Sequence, residues 1–133
     1  MPFIDGFTGT REGLTLAQKK KLRTCFSLSS ALRNEFHFGD CVGADQESFE
    51  ICKEKDDHFS EVHPKMKYWV SIAHPPINNK YRAYCQADII LTPKEYHVRN
   101  RDIVKATKHV LTVCPKSKKE VLRSGTWVYI SFC

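Results

Sequence analysis

The stretch Phe36-His37-Phe38-Gly39-Asp40-Cys41-Val42-Gly43-Ala44-Asp45 leaves this chain few choices of fold. Phe36 and Phe38 alternate with His37, the period of an extended segment with one apolar face. Gly39 and Gly43 then allow a positive φ or a close backbone approach that bulkier residues resist. From Ala44 to Lys55 the composition is helical, with Phe49 and Cys52 three apart on one face. A strand that enters a helix through a glycine loop puts unpaired N–H groups and the positive end of the helix dipole at one place. Such a loop either receives a phosphate or merely shapes a tight strand-to-helix turn.

The rest of the chain repeats the alternation. Phe3 to Thr8 predicts a first strand, ending in the glycine loop Gly9-Thr10-Arg11-Glu12-Gly13. Thr15 with Gln18 three residues on fits a capping box. The helix it opens carries Leu16, Leu22, Phe26 and Leu32 on an apolar side and should end near Arg33-Asn34. Lys53 to Met66 reads as a loop or irregular insertion. Tyr68 to Ala73 predicts a third strand, stopped by His74-Pro75-Pro76 because proline supplies no ladder N–H. Ile77 to Pro93 is mixed, with a short helix around Tyr81 to Gln86. Tyr96 to Thr107 predicts a helix, and the apolar run Val110 to Cys114 a strand covered on both faces. Pro115 to Arg123 reads as a charged loop and Trp127 to Cys133 as a helix.

Strands alternating with helices predict an α/β fold, a Rossmann-like three-layer sandwich with a mainly parallel sheet of four or five strands. Ligands of such sheets sit at the carboxyl ends of the strands. Gly9-Thr10-Arg11, Gly39 to Asp45, His74-Pro75-Pro76 and the Ser124-Gly125-Thr126 turn should therefore meet on one rim.

The 133 residues suffice for one domain, 1–133, with its own core. No apolar run is long enough for a membrane helix, and Met1 to Thr10 lacks the pattern of a secretion signal, so a cytoplasmic protein without a membrane partner is expected. Cys25, Cys41, Cys52, Cys85, Cys114 and Cys133 form no C-x-x-C pair, which argues against a zinc ribbon and for reduced thiols; no metal and no cofactor are expected. The net charge of +6 favours anionic partners, and its clusters at Lys19 to Arg23 and Lys116 to Lys119 suit either a solvated surface or nucleic acid.

In this order Gly9-Thr10-Arg11, Gly39 to Asp45, His74-Pro75-Pro76, Arg99-Asn100-Arg101-Asp102-Ile103-Val104 and Arg123-Ser124-Gly125-Thr126-Trp127 resemble small stand-alone proteins of the SLOG superfamily. That group joins the DNA-processing protein Smf/DprA and the Lonely Guy phosphoribohydrolases. The resemblance implies a nucleotide or nucleotide-derived ligand, such as a nucleoside monophosphate or an ADP-ribose-like molecule. In the hydrolase branch a helix motif supplies an arginine, matched here by Arg99, and a glycine-rich turn supplies phosphate-binding amides and a glutamate. Tyr129 stands where that glutamate is expected. A phenol with a pKa of about 10 cannot stabilise the positive charge that builds on the ribose, and Asp40 or Asp45 on the neighbouring rim is the substitute expected for the lost carboxylate. The family pattern also continues beyond position 133, so the chain is either shortened or one strand short. An uncovered sheet edge would then invite a homodimer.

The candidate ligand-binding residues are Gly9, Thr10, Arg11, Gly39, Asp40, Gly43, Ala44, Asp45, His74, Pro75, Arg99, Asn100, Ser124, Gly125 and Thr126, with Arg99 as the candidate catalytic group. Arg11 suits a phosphate and His74 a base, by stacking or hydrogen bonding. Asp45 and Ser124 equally suit helix N-termini. Nucleotide binding in a sensor or accessory role leads, ahead of nucleotide N-glycosidase activity and of single-stranded DNA binding.

Overall fold

A computed structural model describes residues 2–114 and 129–132. Its centre is β2 (Asn34–Phe38), whose alternation resolves as the sequence requires: Phe36 and Phe38 enter one core, His37 the opposite face. β1 (Ile4–Gly9) and β3 (Trp69–Ala73) flank β2 in parallel register, β5 (Val110–Cys114) lies beyond β1, and β6 (Tyr129–Phe132) pairs with β5. A two-residue strand, β4 (Ile89–Ile90), extends the other edge, giving the order β4-β3-β2-β1-β5-β6, all parallel. The five longer strands meet the expectation of four or five.

Helices α1 (Leu16–Phe26) and α2 (Ala44–Val62) pack on each other and cover one face; α3 (Tyr96–Ala106) packs against β1 and β2 from the other. Right-handed crossovers require this layering, because the chain moves outward from β1 to β4 and then returns to the far side of β1. The α1/α2 core is a run of rings. Phe26 meets Phe36 and Trp69 edge-on at centroid distances of 4.9 and 5.0 Å, and Phe38 stacks on Phe49 at 5.2 Å. Under α3 the packing is thinner, built on Ile103, Leu111 and Val113.

Four expectations are corrected. α1 begins at the Thr15 capping box but ends at Phe26, since Ser27 turns its N–H and hydroxyl back onto the last turn; Leu16 and Leu32 are exposed, so only Leu22 and Phe26 form the buried side. α2 runs through the supposed insertion to Val62. Lys53 pairs with Asp57 one turn on, and the buried Asp56 accepts from the N–H groups of Tyr68 and Trp69, pinning the helix to the start of β3. Tyr81 to Gln86 is not a helix; a single 3₁₀ turn, Asn79–Tyr81, is followed by irregular chain. Tyr129–Phe132 is a strand rather than the middle of a helix. The Ser124-Gly125-Thr126 turn lies outside the described residues.

Candidate functional site

The loops after β1 and β2 lock together. The Ala44 N–H donates to the Thr10 carbonyl at 2.9 Å, and Gly43 packs so closely on Arg11 that an added Cβ would lie 2.3 Å from the Arg11 carbonyl oxygen. Gly43 also has φ 91° and ψ −128°, a conformation open almost only to glycine. From the other side the segment after β3 closes on the second loop. The Val42 N–H donates to Tyr81 and the Ala83 N–H to Asp40. Asp40 is buried and uses both carboxylate oxygens internally, accepting from the Cys85 N–H at 2.8 Å and Arg82 Nε at 3.2 Å. Its side chain is a loop clamp.

Arg99 reaches this junction from α3. It is 4% exposed, donates through Nη1 to the Gly39 carbonyl at 2.7 Å, and stands 3.7 Å from Asp45 Oδ2. Gly39 is required here, since a Cβ would strike the guanidinium. Burial drives the Asp45 carboxyl up to about 6, with Arg99 and the Cys41 N–H pulling the other way. Asp45 is therefore an internal partner of Arg99. The α2 N-terminus offers fewer free amides than the glycine loop suggests, because Ala44 N–H is taken by Thr10 and Gln46 N–H by the Cys41 carbonyl. A cationic side chain exposed at this rim is Arg11, whose guanidinium lies 3.9 Å from the centre of the Tyr81 ring.

Above the junction opens a cleft of about 410 Å³, lined by Arg11, Cys41, Pro76, Ile77, Tyr81 and Tyr96, with Asn78 and Glu95 at its polar margin. That volume is within the ordinary range for small-molecule sites. Burial and Asp45 push the Cys41 thiol up, with Arg99 opposing, so it is a poor nucleophile near neutral pH. A smaller cleft of about 190 Å³ lies on the α3 side, lined by His74, Pro75, Leu91, Thr92, Lys94, Arg99 and Asp102. The two share a wall, where Pro75 to Ile77 pairs with Lys94.

The structure thus brings Gly9, Thr10, Arg11, Gly39, Asp40, Gly43, Ala44, Asp45, His74, Pro75 and Arg99 to one end of the sheet, with Arg11 on the larger cleft and His74, Pro75 and Arg99 on the smaller. Asn100 is half-buried on α3 and lines neither cleft. Among the described residues no cluster of three or more His, Cys, Asp or Glu is placed to hold a metal ion, and no helix is long and apolar enough to cross a membrane. Comparison with protein-family models, with curated proteins and with solved structures finds no match.

The larger cleft adds Ile77, Asn78, Tyr81, Glu95 and Tyr96 to the candidates, together with Cys41 from within the Gly39 to Asp45 loop. Tyrosines in polar surroundings beside Pro75-Pro76 and ahead of α3 were the available signal, since an aromatic ring outside the core often serves recognition.

Proposed function

We propose that the protein binds a nucleotide or nucleotide-derived ligand, a nucleoside monophosphate or an ADP-ribose-like molecule, in the larger cleft at the strand C-terminal rim, in a sensor or accessory role. The observation that carries this reading is Arg11. Arg11 lines the cleft, its guanidinium lies over Tyr81 at 3.9 Å from the ring centre, and no ion pair joins it to a carboxylate among the described residues. A planar cation held in place by an aromatic face is suited to bidentate contact with a phosphate. Tyr81, Tyr96, Pro76 and Ile77 add the apolar and aromatic surface that a sugar or ring needs. Calorimetry against AMP, CMP and ADP-ribose tests it. At least one should bind, and Arg11→Ala should weaken that ligand about tenfold or more without moving the unfolding midpoint. Absence of heat with all three removes the reading.

A second reading, nucleotide N-glycosidase activity, is favoured by Glu95, the one carboxylate on the larger cleft among the described residues. Asp40 and Asp45, the sequence candidates for that charge, are committed to Arg82 and Arg99. Free base released from nucleoside monophosphates, and lost in Glu95→Gln with binding retained, would establish hydrolysis.

A further inference from the structure

A chain of hydrogen bonds crosses the α3 face of the sheet and ends at the smaller cleft. Glu35 Oε1 lies 3.1 Å from His37 Nε2, and His37 Nδ1 lies 2.8 Å from His74 Nε2. A carboxylate only accepts, so Glu35 fixes the His37 proton on Nε2. Burial holds His37 in its neutral form despite Glu35, so its Nδ1 is an acceptor and His74 Nε2 must be the donor. His74 is thereby set in one tautomer, with a bare lone pair on Nδ1. Among the described residues no group donates to that nitrogen, and His74 lines the cleft.

Arg99 lines the same cleft. Its Nη1 and Nη2 are engaged by Gly39 and Cys41, yet its Nε is the one buried side-chain polar atom without a partner among the described residues. A buried donor left unmade costs about 1–3 kcal/mol, so such atoms call for an explanation. The lining of one small space thus joins His74, with its fixed acceptor, to the apolar surfaces of Pro75 and Leu91 and to Arg99, whose unpartnered Nε is buried beneath it.

We propose that the smaller cleft receives the edge of a nucleobase, with His74 Nδ1 accepting from the base beside the Arg99 guanidinium. This assignment rests on the nucleotide reading and names the part of the ligand that fixes its specificity. At about 190 Å³ the cleft is below the roughly 300 Å³ at which whole-ligand pockets begin, so it suits a fragment. Every common nucleobase carries on its pairing edge a ring or amino N–H that can donate to such an acceptor. Pro75 and Lys94 on this cleft are followed directly by Pro76 and Glu95 on the larger one, so one ligand can occupy both sides of the shared wall. A general-base role fits His74 less well. Burial first, and then His37, bring its pKa down to about 4, which makes it a weak base near neutral pH but a constant hydrogen-bond acceptor.

Calorimetry with the four common nucleoside monophosphates and with ribose 5-phosphate, on the full chain, tests the assignment. At least one nucleotide should bind about tenfold tighter than ribose 5-phosphate, the worth of one buried hydrogen bond. His74→Ala should abolish that preference while leaving ribose 5-phosphate unchanged. His74→Asn, whose amide oxygen can stand near the place of Nδ1, should recover part of it. Nitrogen-15 NMR should show His74 Nδ1 unprotonated, with a resonance moved by the preferred nucleotide and not by ribose 5-phosphate. Equal affinity for all five ligands overturns the base site while leaving phosphate binding intact, and so does a His74→Ala variant that still unfolds cooperatively but weakens all five alike. If none of the five binds, the phosphate reading falls, and the four nucleosides decide the base site alone: a His74 resonance that none of them moves refutes it.

Discussion

Gly43→Ala and Gly13→Ala form a matched pair that isolates how the rim is built. Both glycines have a positive φ, 91° at Gly43 and 89° at Gly13, so both variants meet a dihedral penalty. They differ in what the new methyl would meet. At position 13 the nearest atom, at 2.8 Å, is Oε1 at the far end of the Glu47 side chain, which can shift by a few tenths of an ångström while its Oε2 keeps the Leu14 N–H. At position 43 the three nearest atoms are the carbonyl oxygen, carbonyl carbon and Cα of Arg11, at 2.3, 2.5 and 2.8 Å, and backbone cannot step aside alone. The dihedral cost is about 1–2 kcal/mol in the left-handed region and towards 3 kcal/mol where only glycine is at home, as at Gly43. A forced backbone shift adds a further 1–3 kcal/mol or so. Gly13→Ala should therefore cost about 1–2 kcal/mol and Gly43→Ala about 4–6 kcal/mol. Urea unfolding followed by fluorescence and far-ultraviolet circular dichroism measures both. Gly43→Ala should also displace Arg11 and abolish nucleotide affinity under conditions where the variant remains folded. Equal losses of stability, within about 0.5 kcal/mol, would refute the claim that the two glycine loops are packed backbone to backbone.

Other outcomes follow from single buried groups. Burial raises the Asp5 carboxyl from 3.8 to about 7, against the pull of the Val110 N–H. The folded chain then holds this proton more tightly than the unfolded one, so the Asp5 contribution favours folding at low pH and is lost as pH rises from about 4 to about 7. Asp5→Asn, which can still accept from the Val110 N–H, should flatten that slope and be more stable than the native chain at pH 8, by up to roughly 4 kcal/mol; urea midpoints across pH check it. Asp56→Ala strands the N–H groups of Tyr68 and Trp69 at the start of β3 and should cost about 3 kcal/mol by the same measurement. A loss under about 1 kcal/mol would mean that the C-terminal half of α2 is not what anchors β3.

Much of the sheet was legible because its signals are local. Residue type gave β1, β3 and β5, the Phe36-His37-Phe38 alternation gave the two faces of β2, and Thr15 with Gln18 gave the start of α1. The C-terminal half of α2 was not, because its polar sequence conceals one tertiary anchor, Asp56, whose partners lie beyond the helix. Likewise Ile89–Ile90 becomes a strand by pairing with Ile72 and Ala73, a contact no local pattern announces. At the site, loop positions followed from strand order, so the meeting of Arg11, Gly43 and Arg99 was foreseeable. The division of labour among them was not. Whether a carboxylate faces outward or inward depends on long-range partners, and Asp40 and Asp45 turned inward to Arg82 and Arg99, leaving Arg11 and Glu95 on the cleft.

The route taken by Arg99 makes the two sides of the sheet mechanically dependent. Its helix belongs to one layer, while its guanidinium grips Gly39 and Asp45, which lead into a helix of the other. The sheet that separates those layers is bypassed at its end by a single side chain. Pulling the β2–α2 turn outward would drag on α3, and any tilt of α3 would be felt at Gly39. Whatever enters either hollow thus pushes against both sides of the molecule at once.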